Sequence, residues 1–199
     1  MTEEEKALAG LFYQADEESI DRERVRSQDL SYEYNQIRPS HQKERADFIK
    51  REFGKTGEQI KIEQPFHCDF WKRVFVGEKF FANYNFTILA GNHVHIGDCV
   101  MFGPNCGIYA AGHPFSVEER NAGIEYAWPV TIGNNVWVGG HVSIVGGVTI
   151  GDNTIIAAGS VVTKDIPANV LAGGNPCRVI RTLTQEDDLK YKKGYQASK

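Results

Sequence analysis

The sequence predicts a mainly β protein: a parallel β-helix carrying a small α-helical cap at its N-terminus. Three observations predict it. An aliphatic residue recurs every six positions through the second half. The chain holds 20 glycines in 199 residues, most of them within that repeat. The first quarter lacks the repeat and carries apolar residues at helical spacing instead.

The repeat is clearest from Ile132, through Val138, Ile144, Ile150, Ile156 and Val162. A small residue follows most of these: Gly133, Gly139, Gly151 and Ala157. Four positions after each lies a second small or β-branched residue: Val136, Val142, Val148, Thr154 and Ser160. The same phase appears upstream at Ile96-Gly97, Phe102-Gly103 and Ile108, with Val100 and Cys106 in the second position and a weaker start near Val76-Gly77. A fixed short period is the mark of a solenoid. Six residues fit neither the helical period nor a heptad. They suit one short strand and one tight corner, so three units make a coil with three flat faces. The aliphatic residue points inward and stacks on its equivalents. Small residues occupy corners, where side chains crowd and where a positive φ is needed. Val, Ile and Thr favour the flats. A run of hairpins would require Asn-Gly or Asp-Gly turns at hairpin spacing, which the series lacks.

In chain order, residues 1–57 read as the cap, 58–183 as the solenoid with an inserted loop at 109–129, and 184–199 as a polar tail. The spacing predicts helices over 3–14, 17–36 and 40–53. Their apolar residues are Leu8, Leu11 and Phe12; Leu30, Tyr34 and Ile37; and Phe48, Ile49 and Phe53. Ser40 is the expected N-cap of the third, and Gly54 and Gly57 close the region. Such a cap covers an end or side of the solenoid whose strand edges would otherwise be unpaired. The loop 109–129 contains Gly112, His113, Pro114, the run Glu118-Glu119-Arg120 and Trp128-Pro129. Loops on rigid scaffolds commonly carry chemistry. A short helix is expected over 185–193.

Composition excludes several classes. A net charge of −4 gives no electrostatic reason to expect nucleic acid or an anionic membrane as partner. No apolar run is long enough to span a bilayer. The start, MTEEEKALAG, lacks the basic-then-apolar order of a signal peptide, so a cytoplasmic location is expected. Cys68, Cys99, Cys106 and Cys177 form no C-x-x-C pair, which indicates neither zinc nor redox chemistry; Cys106 is expected in the core.

Five segments together resemble the maltose/galactoside O-acetyltransferases, hexapeptide-repeat acyltransferases: 12–16 (FYQAD), 105–114 (NCGIYAAGHP), 132–141 (IGNNVWVGGH), 158–167 (AGSVVTKDIP) and 174–181 (GNPCRVIR). The resemblance covers residues 5–183. It implies a left-handed parallel β-helix, a homotrimer with active sites between subunits, and metal-free transfer of acetyl from acetyl-CoA to a sugar hydroxyl. His113 matches the catalytic histidine, and histidine suits proton removal from an alcohol near neutral pH. Gly140 stands where the galactoside enzymes have a serine whose backbone amide holds the oxyanion; an N–H survives that exchange. Trp137, Ala158, Thr163, Lys164, Arg178 and Arg181 match coenzyme positions, with Trp137 expected to point outward as an apolar wall. Asp16, Asp69 and Asn83 match acceptor-site positions. Glu125 is a candidate for orienting His113 or the acceptor.

The chain also departs from the family. The galactoside branch has an aspartate at Gly91 and a serine at Asp69. A tyrosine-glycine pair common after the aspartate is replaced here by Phe70-Trp71, and Trp71 either stacks on a sugar or packs on the cap. These departures put the acceptor in question: another alcohol or an amine, such as serine or a xenobiotic, is the alternative. A zinc enzyme of the γ-carbonic-anhydrase kind is a further rival, on the strength of His93 and His95 two apart on one strand.

Overall fold

The computed structural model describes residues 1–187. The cap comes first. Helix α1 (Glu3–Leu8) starts at a capping box in which Thr2 and Glu5 bond each other's backbone amides. It is shorter than the spacing predicts. Gly10 takes φ +73° just past the helix end, and the chain then runs into a two-residue strand β1 (Tyr13–Gln14). Leu8, Leu11 and Phe12 are consequently exposed, and Ala7 is the buried residue of α1. Helix α2 spans Glu18–Gln36 and α3 spans Gln42–Glu52. The N-cap of α3 is His41 rather than Ser40, because the turn closes by the His41 N–H donating to Arg38 O at 2.9 Å.

The solenoid follows coil by coil. The first coil is β2 (Ile60–Ile62), β3 (Phe66–Asp69) and, after a 3-10 turn at Trp71–Arg73, β4 (Val74–Val76). The second is β5 (Phe80–Ala82), β6 (Phe86–Leu89) and β7 (Val94–Ile96). The third is β8 (Met101–Phe102) and β9 (Gly107–Tyr109), then an excursion through β10 (Ala111–Gly112), α4 (Val117–Asn121) and β11 (Ile124–Ala127), and a return at β12 (Val130–Ile132). The fourth is β13 (Trp137–Val138), β14 (Ser143–Val145) and β15 (Thr149–Ile150). Strands β16 (Ile155–Ile156) and β17 (Val161–Val162) make the fifth, and β18 (Val170–Gly173) is closed by an antiparallel β19 (Arg178–Thr182). Equivalent strands pair in parallel, giving faces of seven, five and four strands. The C-terminal helix expected over 185–193 falls mostly on 188–199, outside the described residues.

The six-residue reading holds inside the stack: Ile132, Val138, Ile144, Ile150, Ile156 and Val162 are all buried, as are Val136, Val142 and Cys106. The corners refine it. The repeat glycines are needed for space: a Cβ on Gly139 would lie 2.6 Å from the Ala158 nitrogen. Positive φ falls two residues later, on Asn135, Asn153 and Asn169 along one corner and on Asn85, Asn105 and His141 along another. Asparagine tolerates that region best among side-chain-bearing residues, and here the side chains also bond coil to coil, Asn135 to Asn153 at 3.0 Å and Asn153 to Asn169 at 2.9 Å.

Helix α2 seals the free edge of the five-stranded face. Ser27 Oγ accepts from Phe70 N–H at 3.0 Å. Ser31 Oγ bonds both the N–H and the O of Cys68, and the Asn35 amide does the same for Phe66. The spacing is commensurate: four helical residues rise about 6.0 Å, and two strand residues rise about 6.6 Å. Trp71 is buried beside this seal, its Nε1–H donating to Ser27 O at 3.2 Å and its ring packed among Tyr34, Phe48, Phe53 and Phe66. It therefore packs on the cap and does not face a sugar.

Candidate active site

The inserted segment is a structured hairpin. Strand β11 pairs antiparallel with β10 on one side, Gly112 opposite Tyr126, and with β1 on the other, Tyr13 opposite Glu125. One step further along the first register sets His113 opposite Glu125. His113, Glu125 and Tyr13 thus form one cross-strand row, in which neighbouring side chains meet. The Tyr13 hydroxyl donates to Glu125 Oε2 at 2.6 Å, and Glu125 Oε1 lies 3.9 Å from His113 Nε2. The His113 side chain is 57% exposed and that of Glu125 20%, so the imidazole stands open while its neighbour is sheltered.

Asp69, at the end of β3, lies close to this row. Burial pushes its carboxyl up to about 6; the Ala90 N–H it accepts and the Arg24 and Arg73 guanidinium groups act the other way, and Glu125 adds to the rise. Arg24, Ser31, Asn35, His67, Asp69 and Leu89 line a cleft of about 390 Å³. Asp16 is held at the loop's tip: Gln14 Nε2 donates both to it and to Ala122 O, and Ala15 N–H donates to Gly123 O at 3.0 Å. Sequence reasoning did not name Tyr13, Arg24 or Arg73 as site residues. Arg24 has no local motif signal, and Tyr13 reaches Glu125 only through a pairing 112 residues apart.

A second set lies on another corner. The registers along the seven-stranded face align Asn83, Gly103, Gly139 and Ala157, and next to them Pro104, Gly140 and Ala158. Among the described residues the amides of Gly140 and Ala158 donate no hydrogen bond, while Gly139 and His141 on either side donate at 2.8 Å each. Outward on the same face runs a ladder of Phe81, Met101, Trp137, Ile155 and Leu171, with Trp137 51% exposed. Asn83 therefore sits with Gly140 and Trp137, and no hydrogen bond or ion pair among the described residues joins it to Asp16, Asp69, His113 or Glu125.

Thr163 and Lys164 follow β17 and return to the corner from which the His113 hairpin leaves. Both are exposed, and among the described residues Lys164 makes no ion pair. Arg178 and Arg181 lie on β19 at the far end of the seven-stranded face. Arg181 is held by Asp187 in a two-pronged ion pair, which keeps the aspartate down at about 2. The two corners are separated by the five-stranded face, whose longest strands, β3 and β6, have four residues and span about 13 Å. His93 and His95, the pair considered for zinc, pack around Phe75 with ring centroids 5.4 and 4.7 Å from it.

Comparison with known proteins adds a sequence relationship to this geometry. Residues 6–57 match the family described as maltose acetyltransferase hexapeptide capping motif. Residues 129–164 match bacterial transferase hexapeptide (six repeats). A galactoside O-acetyltransferase of Escherichia coli (strain K12) is 44% identical over 192 residues, 96% of this chain and 95% of that protein. A solved structure of a galactoside acetyltransferase in complex with coenzyme A superposes with a TM-score of 0.93 at 43% identity, covering all of both chains. The crystal structure of a maltose O-acetyltransferase from Clostridium difficile 630 superposes with a TM-score of 0.90 at 48% identity, over 93% of this chain and 99% of that one.

Proposed function

This chain belongs to the maltose and galactoside O-acetyltransferase family and is an acetyl-CoA-dependent acetyltransferase, and from that premise we propose that it acetylates a sugar hydroxyl with His113 as general base, in a site shared between subunits of a trimer. The observation that carries the reading is the division of the site residues between two corners. One corner holds Asp16, Asp69, His113, Glu125, Thr163 and Lys164. The other holds Asn83, Trp137, Gly140, Ala158 and Arg178. Each has part of an acceptor site and part of a coenzyme site, and neither has a full set. Three-fold packing of three-sided prisms brings one corner of each copy against the other corner of the next, which supports the shared site.

In this reading the coenzyme's thin pantetheine arm lies along Trp137, with the amides of Gly140 and Ala158 free to donate to it and to the acetyl oxygen. Lys164, Arg178 and Arg181 serve the nucleotide phosphates, Arg181 after exchanging its Asp187 partner. The acceptor hydroxyl gives its proton to His113 and bonds to the thioester carbon. The tetrahedral oxyanion takes the Gly140 N–H, a donor fixed in advance by the coil. Collapse breaks the C–S bond, and the imidazolium returns its proton to the departing thiolate. Asp16, Asp69 and Asn83 hydrogen-bond the polyol.

The test is acetyl-CoA consumption followed by thiol release, with maltose, glucose, galactosides, serine and chloramphenicol as acceptors, for wild type and His113→Ala. Turnover with a sugar and a loss of about 10² or more in the variant supports the reading. Preference for serine or chloramphenicol replaces the sugar while leaving the base in place. Full activity of His113→Ala would overturn the general-base assignment.

A further inference from the structure

We propose that Tyr13, from the N-terminal strand β1, is a positioning residue for acetyl transfer: its hydroxyl fixes the rotamer of Glu125 that presents a carboxylate oxygen to His113. The inference rests on the reading of His113 as the base and extends it to a residue with no contact to substrate.

Glu125 lies on a surface hairpin, where a glutamate ordinarily samples many rotamers. Here one of its oxygens is engaged. Tyr13 is 2% exposed and its hydroxyl donates to Glu125 Oε2 at 2.6 Å, a short charge-assisted bond. The other oxygen is thereby turned along the row toward His113 Nε2, 3.9 Å away. That separation is long for a hydrogen bond and short enough for the carboxylate to favour the imidazolium formed during proton transfer.

The phenol suits the task because it stays protonated. Burial, then the bond to Glu125 and its charge, hold it well above the ordinary tyrosine range, so it remains a donor at any working pH. Arg24 from α2 and Arg73 from the first coil bear on the phenol, and Asp69 from β3 bears on Glu125. Arg73 is itself tied to Glu4 at 3.1 Å and to Gly91 O, and Arg24 to Ala15 O at 3.1 Å. Each charged neighbour is anchored elsewhere, which leaves the Tyr13 hydroxyl as the hydrogen-bond partner that sets the Glu125 carboxylate.

The strand register makes this possible. Tyr13 opposes Glu125 directly in the β1–β11 pair, and Gln14 bonds Ala122 O one step beyond. The N-terminal segment is therefore the third strand of the catalytic hairpin, and the row is incomplete without it.

The test uses full-length Tyr13→Phe, Glu125→Gln and the double variant. Two readouts separate positioning from a general loss of structure. In the first, the Glu125 side-chain rotamer is followed by NMR scalar couplings in wild type and Tyr13→Phe without substrate. The wild type holds the single rotamer that the Tyr13 bond selects, and Tyr13→Phe releases the side chain to several. In the second, kcat for the best acceptor falls about tenfold in Tyr13→Phe, the KM for acetyl-CoA stays within twofold, and the double variant is no slower than Glu125→Gln alone. An unchanged single Glu125 rotamer in Tyr13→Phe overturns the proposal whether or not an acceptor is known. So does a double variant slower than Glu125→Gln by the full Tyr13 factor. If His113→Ala retains full activity, the general-base reading fails instead, and the NMR result still decides what Tyr13 does to the row.

Discussion

Gly140 and Ala158 stand one coil apart at the same corner, and neither amide donates a hydrogen bond among the described residues, although the residues around them do. On the flats of a parallel coil the amides pair with the next coil, while at the corners single amides are left over. Corner residues such as Asp152 and Ala168 share this lack of a partner, but Gly140 and Ala158 lie beside the exposed Trp137, where the proposed coenzyme arm would run.

Removing the Gly140 donor is expected to lower kcat by about 10² without unfolding the protein, since one oxyanion donor is worth that much in other acyl transfers. Gly140→Pro deletes the N–H. Gly140→Ala keeps it; its Cβ would sit 3.2 Å from Pro104 O, which asks for a shift of a few tenths of an ångström. Steady-state kinetics with circular dichroism as a folding check should find Gly140→Ala near wild type and Gly140→Pro slow. Equal loss in both would remove the amide from the mechanism.

Shared sites predict complementation. His113→Ala and Gly140→Pro chains, each inactive alone, are unfolded together and refolded. Random mixing pairs an intact His113 corner with an intact Gly140 corner in about a quarter of the sites of a cyclic assembly. Recovery near that level is expected; none at all would place the whole site within one chain.

Asp69 carries a pH signature. Its carboxyl binds a proton more tightly in the folded chain, about 6 against an ordinary 3.8, chiefly through burial. The ionised group therefore costs stability, and the cost grows as pH rises from about 4 to about 6 and is complete above that. Asp69→Asn retains an oxygen for the Ala90 N–H and should stabilise the protein at pH 8 by on the order of 1–3 kcal/mol, with the gain vanishing toward pH 4. The same variant should raise the acceptor KM. Melting temperatures across that range test the first, kinetics the second.

Asn35→Ala should destabilise by about 2 kcal/mol, because it orphans both the N–H and the O of Phe66. Chemical denaturation should register the loss. A cost near zero would mean that water replaces the amide at the strand edge.

Much of this was legible beforehand, and the rest was hidden for definable reasons. The period of six announced the coil because Ile132, Val138, Ile144 and their equivalents must all face one axis. The outward Trp137 followed from the same phase. The helix predicted to run through Phe12 stopped early because Gly10 reaches a conformation that composition does not reveal. Tyr13 escaped notice as a site residue because nothing local links it to Glu125; only the register of a two-residue strand does. The division of Asn83 from Asp69 likewise emerges only when the coil assigns each to its corner.

The helix that bonds Phe66, Cys68 and Phe70 has one more consequence. Coils of this kind have no natural length: each new turn offers the next one the same edge, as the growing tip of a fibre does. By spending Ser27, Ser31 and Asn35 on that edge, the chain terminates its own polymerisation at one end before a second molecule can add to it. The cap is in this sense a chain-growth terminator, and damage to it is expected to surface first as filaments and only later as lost catalysis.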